Sequence, residues 1–568
     1  MNVSGKRKSL CFLLLTGSLL YSSAGYSKSG TSQKTELKKC PIASDVLTTR
    51  QRTIIMDTLP SGTKKIFPYE ISKYRKYGYG TWHYGPGIES IKRFDLMPSA
   101  YSDASVNNRA RLLNFFTITD IHITDKESPA QAIYFGYNGG IISAYSGIML
   151  YTTHVLDATI QTVNALHKVT PIDFGISLGD NCNNTQYNEL RWFIDVLDGK
   201  KINPDSGLKD DPIPGPHNDY QDEYKATGLD KAIPWYQAIG NHDHFWMGVK
   251  PPNDYIRKTM TGNTILEMGN IFTPEGYNRR DFSMGDLDGR TRYGNIVGAG
   301  KVGSLNPPKI AADPNRRSLS SVEWMSEFFT TTSNPAGHGF NKADAARGFG
   351  CYTFEPKSSV PLRVIVLDDT QRNDDPAGDI YGHSSLDKER FEWLVKELDK
   401  GEAEGKLMII AAHIPIGIAP AGDEVGWNPH APLTEEAFLA KLHTYPNLML
   451  WIAGHRHLNT VTAMKSPDPN RPELGFWQVE TASLREFPQQ FRTFEIVRNS
   501  DNTVSIITTN VDPAVKKGSF AATSRSYAVA AQQIFNLPPA ASYNAELFKQ
   551  LSPEMQAKLQ NCGTALTR

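Results

Sequence analysis

Net charge is the first thing this sequence lacks: 60 Lys and Arg balance 60 Asp and Glu over 568 residues. Such a chain has no extended basic face for a polyanion, which argues against nucleic acid as a structural partner. Nucleic acid stays open as a substrate, because bound cations supply positive charge that a side-chain count does not see. Long apolar runs are also missing after the N-terminus. The one present, from about Leu10 to Leu20, is well short of the ~20 residues a spanning helix needs. It follows Lys6-Arg7-Lys8 and gives way to Ser22, Ser23 and Ala24. This layout predicts a secretory signal over residues 1–24 and an exported protein, periplasmic or secreted, with no membrane span in the mature chain. Cysteine is scarce. With Cys11 inside the apolar run, four remain, Cys40, Cys182, Cys351 and Cys562, which allow three pairings. An oxidising compartment favours at least one disulfide, and a Cys40–Cys562 bond is expected to pin the two ends together. Internal repeats and low-complexity tracts are absent as well.

What is present is a regular alternation. Residues 25–100 are polar and tyrosine-rich ("ISKYRKYGYGTWHYGPG") and read as an extended segment wrapped on a main domain over 101–512, with a helical and extended tail over 513–568. Short apolar runs then end in polar clusters: "LLNFFTITD", "PIDFGISLGD", "AIPWYQAIGNHD", "PLRVIVLDD", "KLMIIAAHIP" and "LMLWIAGHRH". Near-continuous apolar runs of this length mark strands buried on both faces. Helical patterns separate them. Leu156, Ile160, Val163 and Leu166 form one stripe, and Phe391, Leu394 and Leu398 another on a helix from about 386 to 398. Alternation of this kind predicts an α/β domain with a largely parallel central sheet. "FWQVETAS", "QFRTFEIVRN" and "TVSIITTNV" read as consecutive strands of a second, more antiparallel sheet. Loops over about 200–230 and 246–345 are long enough to fold over a site at the strand ends.

Those ends carry the chemistry. Asp120 and His122 alternate as Asp-Ile-His, which on a strand directs both side chains to one side. Asp180 follows Gly179, where the backbone can turn tightly, and Gly240 permits the turn before Asn241. His413 follows "MIIAA", and His455 and His457 alternate in "GHRH". Asp120, His122, Asp180 and His457 suit one ion, and Asp180, Asn241, His413 and His455 another. Mixed imidazole and carboxylate or amide oxygen donors fit Mn, Fe or Zn rather than Ca or a thiolate-bound metal.

The ordered blocks "DIH", "GDN", "GNHD", "AAH" and "GHRH" resemble the five signature blocks of the calcineurin-like metallophosphoesterase superfamily, over roughly residues 110–510. The resemblance implies an αββα sandwich of two mixed β-sheets flanked by helices, with long loop insertions. It also implies a dinuclear centre on Asp120, His122, Asp180, Asn241, His413, His455 and His457. By the same resemblance His242 is expected over the leaving group as general acid, oriented by Asp243, with a metal-bridging hydroxide as the nucleophile toward a small-molecule phosphate mono- or diester. Purple acid phosphatases, one branch of the family, carry a tyrosine ligand three positions after the second-block aspartate. Asn183 stands there, so no ferric-tyrosinate chromophore is expected. Alternatives are a nucleotide-specific phosphodiesterase or nucleotidase, and a non-catalytic periplasmic metal- or phosphoester-binding protein. His154, His167, His383 and His443 read as surface or capping residues, His217 and His244 stay open, Cys182 reads as buried, and Arg456 as a structural ion pair.

Overall fold

The six apolar runs do become buried strands, but they divide between two sheets. This computed structural model describes residues 37, 39–66, 71–131, 147–208, 218–263, 310–373, 375, 381–418, 426–537 and 541–566. The expected signal segment, Cys11, His217, and parts of both long loops (209–217 and 264–309) lie outside the described residues. In chain order the strands are β1 (Arg52–Met56), β2 (Trp82–Pro86), β3 (Ile91–Arg93), β4 (Asn108–Ile118), β5 (Phe174–Ser177), β6 (Lys201–Ile202), β7 (Tyr224–Lys225), β8 (Trp235–Gln237), β9 (Tyr352–Phe354), β10 (Leu362–Val366), β11 (Leu407–Ala411), β12 (Leu448–Ala453), β13 (Val461–Met464), β14 (Phe476–Glu480), β15 (Phe491–Asn499), β16 (Val504–Val511), β17 (Ala545–Lys549) and β18 (Thr564–Ala565).

One sheet has eight strands in the order β3-β17-β16-β15-β4-β5-β8, with β18 paired to β4; the other has six, in the order β13-β14-β12-β11-β10-β9. Both are mixed. In the first, β4, β5 and β8 are parallel neighbours, while β4-β15, β15-β16 and β16-β17 are antiparallel. In the second, β10, β11, β12 and β14 are parallel and the edge strands β9 and β13 antiparallel. Two mixed sheets flanked by helices are the expected architecture, one largely parallel and one more antiparallel; what is corrected is the placement of one segment. "FWQVE" joins the parallel strands of the six-stranded sheet, whereas the two segments after it form the antiparallel half of the other. Composition could not separate them, since every residue of β14 is buried, as in a central strand.

Helices flank this pair of sheets. In the helix Thr152–Val169, Leu156, Ile160 and Val163 are buried. The second expected helix runs from Lys388 to Ala403, started by the Asp387 side chain, which accepts from the Arg390 amide, and anchored by buried Leu394 and Leu398. The stretch after residue 512 supplies the helix Phe520–Phe535 and β17, whose Ala545 and Leu547 enter the main core. That core takes residues from both sheets, among them Phe115, Phe174, Val364, Ile409 and Leu450. Leu37–Arg568 form one compact unit. Among the described residues no helix is long and apolar enough to cross a membrane.

The expected Cys40–Cys562 bond is not formed, and all four described cysteines are free. Each has a local partner instead: Cys40 Sγ lies 4.0 Å from His154 Nδ1, and Cys562 Sγ donates to the Lys558 carbonyl at 3.4 Å.

Three rings in register show what sets the eight-stranded sheet. Phe115 is paired across the ladders with Phe174 and Phe494 and stacks on both, at centroid separations of 4.7 and 4.8 Å. Replacing Phe115 by Ala is expected to cost about 3–5 kcal/mol of stability. Urea unfolding of the two proteins measures this, and a loss under about 1 kcal/mol would show that the stack is not a keystone of the sheet.

Candidate metal centre

All six apolar strands end at one place. β4 stops at Ile118, β5 at Ser177 and β8 at Gln237 in one sheet; β10 stops at Val366, β11 at Ala411 and β12 at Ala453 in the other. Asp120, His122, Asp180, Asn241, His413, His455 and His457 lie just beyond these ends, and the structure brings all seven side chains together. The reason given above for the paired positions needs correcting. Asp120 and His122 lie past β4, with φ of 50° and 46°, and His455 and His457 past β12, with φ of 70° and 57°. Two left-handed residues separated by one ordinary residue, not strand alternation, turn each pair inward. Asp180 is also left-handed (φ 55°). Such conformations are costly for residues other than glycine and persist only where surrounding contacts fix them. Here the fixing contacts are visible: the Asp120 amide donates to the Gly179 carbonyl at 3.1 Å and the His122 amide to the Asp180 carbonyl at 2.9 Å.

The donor atoms fall into two groups. In the first, His457 Nε2 lies 3.3 Å from both Asp120 Oδ1 and His122 Nε2, and His122 Nε2 lies 3.7 Å from Asp180 Oδ2. In the second, His413 Nε2 lies 2.9 Å from Asn241 Oδ1 and 3.3 Å from Asp180 Oδ2, and His455 Nδ1 lies 3.1 Å from Asn241 Oδ1 and 3.3 Å from His413 Nε2. Asp180 Oδ2 belongs to both. Ligands about 2.0–2.1 Å from one ion are ~3.0–3.4 Å from each other in octahedral or tetrahedral arrangement; the second group, at 2.9–3.3 Å, is close to this spacing, and the first, at 3.3–3.9 Å, is slightly more open. Asp120 Oδ1 is buried without a hydrogen bond of its own and faces three imidazole nitrogens, of His457, His122 and His413, at 3.3, 3.9 and 4.0 Å. Three Asp/His clusters here place one ligand atom per residue within 4.8 Å of one another: Asp120-His122-His457, His122-Asp180-His242 and Asp120-Asp180-His413. The donors thus fit cations in number, type and spacing.

Electrostatics point the same way. Burial would raise the Asp120 and Asp180 carboxyls, but His457 and His413 hold them below the ordinary range. Burial would depress His413, yet Asp180 and Asp120 outweigh it and push it up to about 10. Glu486 and Asp120 likewise outweigh burial and raise His457. Burial, together with His413, drives His455 down to about 3, and burial with His242 lowers His122. In each group one histidine is thus pushed up by the neighbouring carboxylates, His457 in the first and His413 in the second, so the buried acids favour positive charge at this place.

His242 sits at the edge of this cluster, its ring edge-on to that of His122 at a centroid distance of 4.4 Å. Its amide donates to Asp180 Oδ1 at 2.8 Å, and its Nδ1 lies 2.8 Å from the Asn183 carbonyl. The expected orientation by Asp243 is corrected: the Asp243 carboxylate instead accepts the amides of Asp180, Asn181, Cys182 and Gly240 at 2.9–3.2 Å. It clamps the Asp180 loop, and Asn183 aims the histidine. Gly240 serves close approach and not turning, since its φ is −107° and a Cβ there would lie 2.2 Å from Asp180 Oδ1. Gly248 (φ +72°) covers the His242 ring, and its carbonyl accepts from Asn241 Nδ2 at 3.0 Å, which turns Asn241 Oδ1 toward the cluster.

Several supporting residues carry no sequence signature. Asp369, after β10, accepts the amides of His413 and Ile414. Glu189 accepts those of Asp125, Asn183 and Asn184. Arg485 Nη1 donates to Asn183 Oδ1 at 2.6 Å, and Glu486 pairs with His457 Nδ1. Their only trace was position: Asp369 ends an apolar run as the ligands do. Of the remaining histidines, His154 and His383 are buried, contrary to expectation, His154 stacking on Tyr224. His443 caps the helix Glu435–Leu442, and His244 Nδ1 lies 2.8 Å from Ser321 Oγ. Cys182 is buried, and Arg456 pairs with Glu480 at 2.6 and 2.7 Å.

No family model and no curated protein matches the chain. Among solved structures 43 chains match. A dimetal phosphatase from Danio rerio is 10% identical with a TM-score of 0.37, covering 71% of this chain and 98% of its own. The GAP50 anchor of the Plasmodium inner membrane complex is 11% identical with a TM-score of 0.29, covering 78% and 98%. A Staphylococcus aureus structure described as a 5'-nucleotidase, in complex with alpha-ketoglutarate, is 11% identical with a TM-score of 0.29; the match covers 73% of this chain and 58% of that one. At such values the functional reading is carried by this chain's own site residues and not by these neighbours.

Proposed function

We propose that this chain is a dinuclear metallophosphoesterase that hydrolyses phosphate mono- or diesters, with two ions chosen from Mn, Fe and Zn. The observation that carries it is the sorting of seven side chains into two donor groups sharing Asp180, with His242 on their rim. Asp120, His122, Asp180 and His457 would hold one ion and Asp180, Asn241, His413 and His455 the other. Such a pair neutralises phosphate charge and lowers the pKa of water at the site toward ~7.

The chain's own residues supply the rest. Bonding of His242 Nδ1–H to the Asn183 carbonyl leaves Nε2 to carry a second proton outward to a leaving oxygen. Asp180 Oδ1 holds the backbone of the same residue by accepting the His242 amide. A side chain at position 248 would press on the donor nitrogen, because a Cβ there would lie 2.4 Å from His242 Nε2. Export is proposed with this activity, supported by the basic, apolar and small-residue order of residues 6–24.

Assay of the purified protein on bis-p-nitrophenyl phosphate and p-nitrophenyl phosphate tests the reading. Chelation should abolish turnover and added Mn restore it; two bound ions without turnover of either ester would favour the binding-protein alternative. His242→Ala is expected to slow esters of poor leaving groups by ~10²–10⁴ and nitrophenyl esters far less. Equal losses on both would remove the general-acid role. Gly248→Ala should show the same selectivity at smaller size, read as kcat on an alkyl against an aryl ester, and an unselective effect would detach Gly248 from His242.

A further inference from the structure

The loop between β14 and β15 crosses from one sheet to the other and touches three ligand-bearing segments. Ser483 Oγ donates to the Asp120 carbonyl at 2.7 Å, Arg485 Nη1 to Asn183 Oδ1 at 2.6 Å, and the next residue, Glu486, pairs through Oε2 with His457 Nδ1. The four ligand histidines are not supported alike. His413 Nδ1 lies against a neutral carbonyl, that of Leu178, at 2.9 Å. The outward nitrogens of His122 and His455 are buried without hydrogen bonds among the described residues. His457 alone among them has a carboxylate on its outward nitrogen. Both members are largely covered, with side-chain exposures of 19% for His457 and 13% for Glu486.

We propose that Glu486 is a positioning residue for a divalent cation. It accepts Nδ1–H of His457, fixes the ring so that Nε2 faces Asp120 and His122, and raises the donor strength of that nitrogen for the ion held by Asp120, His122, Asp180 and His457. The assignment rests on the dinuclear site proposed above. The physical ground is that a carboxylate behind a metal-bound imidazole sets its tautomer, orientation and basicity, and its removal typically costs 10–100-fold in metal affinity. Glu486 touches neither ion nor substrate. Its effect is expected at one of the two subsites, because the ligand histidine it pairs with is His457.

Titration of the chelator-stripped full chain with Mn, followed by calorimetry and by metal content after desalting, tests this without any substrate. The wild-type chain is expected to take up two ions. Glu486→Ala should weaken one of them ~10–100-fold and leave the other, with Glu486→Gln in between because its amide oxygen accepts Nδ1–H without the charge. His457→Ala marks the affected subsite, and adding Glu486→Ala to it should cause no further loss. Wild-type affinity for both ions in the Glu486 variants overturns the assignment. So does equal weakening of both ions with a fall in the melting temperature of the metal-free protein, which is the mark of a merely structural role. A wild-type chain that binds no ions overturns the dinuclear site itself, and with it this inference.

Discussion

The carboxylate of Asp180 is the group on which both halves of the site close. Its Oδ2 belongs to both donor groups, and it is buried within a few ångströms of a second buried carboxylate, Asp120. Two such charges cannot stand together out of water without positive charge close by, and the surrounding imidazoles answer that need. The backbone is arranged for the same end. Asp180 is held left-handed, its loop is clamped through three of its amides on Asp243, its Oδ1 accepts the His242 amide, and Gly240 has no side chain to obstruct it. Strain at Asp180 is thus offset by hydrogen bonds that would have no partner if the residue relaxed.

That placement also couples the site to the packing of the whole fold. The eight-stranded sheet contributes Asp120, His122, Asp180 and Asn241, and the six-stranded sheet His413, His455 and His457. Each donor group draws on both sheets: His457 completes a group otherwise made from the first, and Asp180 and Asn241 complete one with two histidines of the second. Spacings of 2.9–3.3 Å across the two sheets can be kept only if the shared core does not slide. The dense aromatic and aliphatic interior between them is therefore as much a determinant of ligand geometry as the ligating residues.

How much of this was legible in the sequence follows from what each signal measures. Apolar runs report burial, so the six strands and the two stripe helices could be read directly, as could the seven side chains that the fold gathers, whose chemistry is local to their residue type. Sheet membership could not. The assignment of "FWQVE" to one sheet and "FRTFEIVRN" to the other depends on partners far away in the chain, and both segments are apolar enough for either. Left-handed backbone at Asp120, His122, His455 and His457 left no mark because none of these is glycine. Asp243 sits beside His242 in sequence, yet the short helix turns its carboxylate to the Asp180 loop. Glu486 is 29 residues from His457 in a stretch with no periodicity, and only the fold joins them.

Position 183 shows how the same place in a motif can be turned to another task. The resemblance drawn from the sequence sets this chain apart from the purple acid phosphatase branch at this position, where that branch carries a tyrosine ligand. Asn183 instead turns its side chain away, donating to Gln131 and accepting from Arg485, and uses its carbonyl to hold His242 Nδ1. A tyrosine aimed at the ions would not make the two side-chain bonds that lock this carbonyl in place. Arg485 is fixed in turn by its neighbourhood: its amide donates to Ser483 Oγ, and Ser483 Oγ to the Asp120 carbonyl. The chain from Asp120 through Ser483, Arg485 and Asn183 to His242 consists of hydrogen bonds of 2.6–2.9 Å. It makes the aim of the proposed proton donor depend on the same loop that carries Glu486, so the proposed metal site and the proposed donor lean on one element.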